Sequence, residues 1–307
     1  MRPFPCMRHR ALSSAIIVSI AIAANPARAV TIDGLLDGEY GIALSTQSTQ
    51  TSFADTRFTP PYSEGSELDA AFGFVSDGNL YLFFAGNLLP FTSEPLTLPH
   101  DLHVFIDCAA GGQNQLRSDN PAVGPELKLS HLAGLRFDGD FSPDYWLDMS
   151  TLRGSRLIGY YSDLPATSGG SGYFLGRIGA ADAGVFSGGT NPHGVRAGMN
   201  NTNTEGVPAG CGAAAGDGVT TGFEWSIPLA AIGNPTGAIK VCVLVAKSFA
   251  PQVSNQVLGP LPPGTCSLGA PASVDFSSIP GLQYFVIDFA VPARKTSLGA
   301  VKQLYAR

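Results

Sequence analysis

Positive charge is scarce in this chain. Of 307 residues only 18 are Lys or Arg, against 24 Asp or Glu. Four of the arginines (Arg2, Arg8, Arg10 and Arg28) fall in the first 29 residues, which hold no acid, so the remainder carries 14 basic and 24 acidic residues, a formal charge of −10. Nucleic acids and anionic membrane surfaces are held by clustered positive charge, and this balance argues against both as partners. Charged residues of either sign reach only 14%, while Gly and Pro supply 37 and 23 residues. A chain rich in turn formers and poor in helix formers belongs to an all-β protein with long loops rather than to a helix bundle or a doubly wound sheet.

Catalytic signatures are also missing. There is no G-x-S-x-G elbow, no HExxH, no phosphate-binding loop and no dinucleotide fingerprint. His100, His103, His131 and His193 are scattered without metal-ligand spacing, and no CxxC occurs. Beyond the N-terminus no apolar run is long enough to cross a membrane.

The N-terminus itself reads as an export signal. Arg2, Arg8 and Arg10 precede an apolar stretch from Ala11 to Ala24, and Ala27-Arg28-Ala29 has the small-x-small form of a cleavage site. Residues 1–29 are therefore expected to be removed, leaving a secreted, periplasmic or extracellular protein that starts at Val30. No linker and no fixed-period repeat divides the rest. One β domain over 30–292 is expected, followed by a basic, loosely ordered tail over 293–307.

The strongest structural signal lies between Gly65 and Cys108. Two apolar runs meet at Asp77-Gly78, a pair suited to a type I′ turn because both central residues need positive φ. With those two as the turn, Val75 faces Leu80, Phe74 faces Tyr81, Gly73 faces Leu82, Phe72 faces Phe83 and Ala71 faces Phe84. One face is small against large and the other carries four aromatics. Strands apolar on both faces sit inside a layered structure, so an antiparallel β-sandwich, jelly-roll-like and resembling a carbohydrate-binding module, is the expected architecture. With further strands available to cover both faces, the four aromatics are expected in the core.

Further strands are expected at Leu157–Ser162, Tyr173–Ile178, Val195–Asn200, Gly222–Leu229, Lys240–Ala246 and Gln283–Phe289, with a polar strand after Ile42 and an edge strand in Val30–Gly41. The stretch Ser248–Pro271 reads as one long loop, and Leu127–Leu135 as the nearest thing to a helix. Four cysteines follow the leader, and an even count in an exported chain favours two disulfides. Three pairings are possible; Cys242 with Cys266 and Cys108 with Cys211 is preferred, each worth about 3 kcal/mol.

Two groups of residues carry chemistry. Asp107, Asn114, Asp119 and Asn120 follow the end of a strand in a Gly-rich loop and offer oxygens of the kind calcium takes; local loop capping is the plainer alternative. Asp138, Asp140 and Asp144 lead into Tyr145 and Trp146. Aromatic rings stack on sugar C–H groups and carboxylates accept hydroxyl protons, so Asp144, Tyr145 and Trp146, with Glu224 from the strand GFEWSIPL, form a candidate ligand site. A glycosidase needs only two carboxylates at a suitable separation, for which Glu224 with Asp107 or Asp144 would serve.

The phrases GSELDAAF, GNLYLFFAGNL, FIDCAAGGQN, TTGFEWSIPLAAIGNP and SNQVLGPLPPG resemble a group of exported bacterial proteins without known activity, many of which end in a PEP-CTERM sorting segment. The likeness spans nearly all of the chain after the leader. Here Val291-Pro292-Ala293-Arg294 stands where Val-Pro-Glu-Pro would begin, and no apolar helix or Arg-rich stop follows. More remotely, the order of IDGxxD, GNLYLFF, HVFID and GFEWSIPLAAIG is similar to family 9-like carbohydrate-binding modules and DOMON-like sandwiches. That resemblance implies a sandwich able to bind glycans, with structural calcium as the one cofactor to consider. The expected function is a non-catalytic secreted protein binding carbohydrate or another extracellular polymer, with a polysaccharide or a cell-surface polymer as the expected partner. The alternatives are an envelope or matrix component without a small ligand, and a glycoside-active enzyme.

Overall fold

The computed structural model describes residues 30–47, 49–53, 66–89, 92–93, 96–97, 99–124, 129–152, 156–179, 183–203, 210–212, 218–248 and 252–289. The expected leader at 1–29 and tail at 293–307 lie outside the described residues. In chain order the strands are β1 (Ser45–Thr46), β2 (Glu67–Ser76), β3 (Asn79–Asn87), β4 (Thr92–Ser93), β5 (Leu96–Thr97), β6 (His100–Asp107), β7 (Tyr145–Leu152), β8 (Arg156–Asp163), β9 (Gly172–Arg177), β10 (Ala183–Val185), β11 (Ser187–Gly188), β12 (Arg196–Met199), β13 (Gly222–Pro228), β14 (Ile239–Lys247), β15 (Val253–Leu258) and β16 (Phe285–Ile287). Helical structure among the described residues is confined to short 3-10 turns such as Ser130–Leu132, where sequence pattern suggested a longer helix.

Two antiparallel sheets pack face to face. One has the order β1-β2-β3-β13-β12-β10, the other β11-β9-β8-β7-β6-β14-β15, with β16 also pairing with β14. The hairpin forms in the expected register, Ala71 opposite Phe84 through Val75 opposite Leu80, with Asp77 and Gly78 both at positive φ. Its small-against-large face supplies Ala71, Leu80, Leu82 and Phe84 to the core between the sheets, where Phe223, Trp225 and Ile227 of β13 meet Val104, Ile106, Leu147 and Val243 of the opposite sheet.

The four hairpin aromatics are not in that core. They point outward from the first sheet, where residues 30–44 run across them as a strap, and Tyr40 packs on Phe74 and Phe83. Phe72 and Phe83 are buried beneath the strap; Phe74 and Tyr81 stay half-buried, their rings stacked at 5.1 Å. The strap is no strand: it makes an isolated bridge, Leu35 to Thr221, and a 3-10 turn at Gly38–Tyr40. The second sheet is roofed as well. Loop residues 113–124, 129–141 and 261–284 bring Leu116, Phe137, Phe141, Phe276 and Tyr284 onto its outer face against Phe105, Trp146, Tyr160 and Leu244. Each sheet is thus apolar on both faces because each is covered on both.

The cysteines depart from expectation in the same way. Cys211 bonds to Cys266, with Cα atoms 5.2 Å apart, and Cys108 and Cys242 are free thiols. Cys242 faces the outer core of the second sheet, opposite Phe105, whereas Cys108 packs on the inter-sheet side, so the sheet itself separates them. Parity of count could not reveal a sheet standing between two of the four.

Candidate functional site

The strand ends of β7, β8 and β9 hold a group of tyrosines. Antiparallel register sets Tyr145 opposite Asp163 and Tyr161 opposite Tyr173. Residues two apart share a face, so all four project to the side of Leu147, towards the end of the inter-sheet core. The Tyr145 and Tyr161 rings lie 6.1 Å apart and those of Tyr161 and Tyr173 are stacked at 4.9 Å. Tyr161 is buried and its hydroxyl donates to the Ala231 carbonyl (2.9 Å), tying it to the 3-10 turn Leu229–Ile232; Tyr145 and Tyr173 are half-buried. Burial raises the pKa of all three phenols, and Asp163 adds to the rise at each. All three phenols therefore remain protonated, with Tyr161 already committed as a donor to Ala231.

Of the residues picked out from sequence as a ligand site, only Asp144 and Tyr145 are at this end. Asp144 Oδ2 accepts the N–H groups of Cys108 (2.9 Å) and Ala109 (2.8 Å), holding the chain as it leaves β6. Burial, and after it the Asp144 and Asp107 carboxylates, push the Cys108 thiol up to about 12. Trp146 is fully buried on the opposite face of its strand, where its indole N–H donates to His103 Nδ1 (3.2 Å). Glu224 belongs to the other sheet's outer face. Its carboxylate accepts Asp33 N (2.9 Å), Gly34 N (3.1 Å) and the Tyr40 hydroxyl (2.9 Å), and burial lifts its pKa to about 7 against the pull of those bonds. It pins the strap. A cavity of about 200 Å³ between strap and sheet, lined by Leu36, Thr46, Asp69 and Phe72, is smaller than the sites that enclose drug-sized ligands.

The four residues considered for calcium have separate duties. Asp107 accepts Ser142 N (3.2 Å) and lies 3.6 Å from Lys240 Nζ. The Asn114 amide donates to the Asp138 and Phe141 carbonyls, closing that turn. Asp119 forms a fork with Arg117, and Asn120 exchanges amide hydrogen bonds with buried Gln113. No two of the four share a hydrogen-bond partner among the described residues. Neighbouring acids act likewise: Asp140 accepts the Tyr284 hydroxyl (2.5 Å) and Asp138 accepts Gln283 N (2.7 Å).

A third group escaped the sequence reading. Asp101, His103 and Asp148 are all buried, and one ligand atom from each lies within 4.8 Å of the others. His103 Nδ1 is 3.2 Å from Asp148 Oδ2, and the Ser248 hydroxyl lies 2.6 Å from the Pro99 carbonyl and 2.9 Å from Asp101 Oδ1. Two polar residues at alternate positions of HDLHVFID were the available signal, since a strand face otherwise bearing Phe105 would not bury them without purpose. For the tyrosine group the signal was GYYSD beside GYF, but pairing across strands was needed to join them to Tyr145. Comparison with protein-family models, curated proteins and solved structures finds no match to this chain.

Proposed function

We propose that this chain is an exported, non-catalytic β-sandwich that binds carbohydrate or another extracellular polymer at the tyrosine-bearing end of β7, β8 and β9. The observation that carries the reading is the grouping of Tyr145, Tyr161 and Tyr173 around Asp163, two of the rings half-buried at the sandwich end. Stacking surfaces edged by hydroxyl donors and a carboxylate acceptor match the alternating C–H and O–H surface of a sugar. Export is supported by the Cys211–Cys266 disulfide, which persists in oxidising compartments. No helix among the described residues is long and apolar enough to cross a membrane.

The test is retention on insoluble polysaccharides and a glycan array, comparing the wild-type chain with Tyr145→Ala and Tyr173→Ala, with folding checked by circular dichroism. Binding lost in both folded variants supports the reading; no retention of folded wild-type protein on any polymer overturns it. A second reading, an envelope or matrix component without a small ligand, draws on the complete burial of both Trp146 and Trp225, which makes these rings packing elements. It predicts that the protein stays with the cell-surface fraction, and that changing either Trp alters stability alone.

A further inference from the structure

We propose that the polymer bound at the tyrosine-bearing end is a polysaccharide whose sugars carry free, protonated amines. This rests on the reading of that end as a binding site and names the chemistry of its ligand. Two carboxylates stand at the group: Asp163 is the cross-strand partner of Tyr145, and Asp144 precedes Tyr145 in the chain. Both are half-buried, and each commits one oxygen to backbone. Asp163 Oδ1 accepts Ser171 N, and Asp144 Oδ2 accepts Cys108 N and Ala109 N. Asp163 Oδ2 and Asp144 Oδ1 enter no hydrogen bond among the described residues. After burial, Asp163 is a cause common to the raised pKa of Tyr145, Tyr161 and Tyr173, so its charge reaches the whole group.

The cations nearest this end face away from it. Lys240 lies at the same end of the second sheet, but alternation turns it to the outer face with Cys242, where Asp107 is 3.6 Å away and Asp140 4.0 Å away. Arg196, at the start of β12, alternates with Ala197 of the inter-sheet core and so stands on the outer face of the first sheet. The buried residues of the described chain include no Lys or Arg. A uronic acid or sulfated sugar would bring like charge against two carboxylates. A neutral sugar would use the rings and ignore the charge. An ammonium group pairs with a carboxylate oxygen in a charge-assisted hydrogen bond and is drawn to the negative face of a phenol ring, so one substituent answers both features. The rings favour a sugar over a lysine-rich peptide, because a pyranose offers C–H faces for stacking beside its amine.

The test compares retention of the exported chain on chitosan, on chitin, its acetylated and uncharged form, and on alginate, whose sugars are anionic, all at mildly acid pH and moderate salt. Chitosan should hold the folded protein about tenfold more strongly than chitin, the difference one hydrogen bond to a charged group makes. Asp163→Asn keeps an oxygen for Ser171 N and should weaken chitosan binding about tenfold. Glu39→Gln removes the same charge from the strap and should leave binding unchanged. Retention on chitin or alginate equal to that on chitosan overturns the amine and leaves the polymer reading standing, whereas no retention on any polymer overturns both. Equal weakening by Glu39→Gln means adhesion to net charge alone and overturns the proposal, as does stronger retention on polylysine than on chitosan. If Asp163→Asn does not fold, displacement of the wild-type protein decides. Glucosamine oligomers should release it from chitosan and N-acetylated oligomers should not; the reverse refutes recognition of the amine.

Discussion

Glu224→Gln is expected to make the protein more stable than wild type in alkaline solution. The carboxylate is fully buried and accepts two strap N–H groups and the Tyr40 hydroxyl. Burial raises its pKa from 4.5 to about 7. The folded state therefore holds this proton more tightly than the unfolded chain does. The stability so gained is fully present below about pH 4.5 and is lost as pH rises through 7, amounting to about 3 kcal/mol at one unit of pKa per 1.36 kcal/mol. A glutamine reproduces the protonated acid: its oxygen can accept Asp33 N and Gly34 N while its amide donates to the Tyr40 hydroxyl. Urea unfolding of both proteins at several values from about pH 5 to about pH 8.5 isolates the effect, because every other titration cancels in the difference. The two should be near equal at the acid end and diverge in favour of the variant by up to about 3 kcal/mol at the alkaline end. A constant difference across the range, or a variant weaker at alkaline pH, would refute the assignment of Glu224 as the buried titrating anchor of the strap.

Three other outcomes test the architecture. A Cβ at Gly233, whose φ is +74°, would stand 2.7 Å from the Tyr145 hydroxyl, so Gly233→Ala should cost about 1 kcal/mol in thermal unfolding and weaken any polymer retention at that end. Opening the Cys211–Cys266 bridge, whose partners are 55 residues apart, should lower stability by about 4 kcal/mol on reduction, while Cys108 and Cys242 should ignore Ellman's reagent at neutral pH until the chain is unfolded. Trp225→Ala should cost about 3–5 kcal/mol, and Phe74→Ala on the outer face much less; equal costs would contradict the assignment of faces.

The strands were legible because their information is local. Asp77-Gly78 fixed the hairpin, and with it which residues oppose one another, while alternation in GFEWSIPL separated Phe223, Trp225 and Ile227 from Glu224. What alternation cannot supply is which face meets the other sheet. A strand apolar on both sides leaves that choice to tertiary packing, and here the aromatic face went outward beneath residues 30–44. The same gap scattered the candidate site. Asp144, Tyr145 and Trp146 are adjacent in sequence, yet one caps a loop, one lies at the sandwich end and one fills the outer core. Asp163, Tyr161 and Tyr173 join Tyr145 only through pairings between strands, which a single sequence does not display.

β15, the longest of the strands missed, shows how local composition misleads at a sheet edge. VSNQVL lies inside the stretch Ser248–Pro271, read as loop and punctuated by LGPLPPG, yet all six residues are buried. An unpaired strand edge exposes a row of backbone donors and acceptors, and this chain meets that demand with side chains. Gln47 Nε2 donates to the Asn255 and Val257 carbonyls at 3.1 and 3.2 Å, as a neighbouring strand would. The Asn255 amide joins Ser52 N, the Gln50 carbonyl and the Thr265 carbonyl. Gln256 accepts Leu68 N from the facing sheet and donates to the Thr49 carbonyl, both at 3.0 Å. The amides thus stitch one sheet's edge to the other's. Apolar residues there would leave these backbone groups buried and unpaired, at about 1–3 kcal/mol each. Polar sequence inside a sandwich is therefore what sealing an open edge requires, and SNQ is the seam itself.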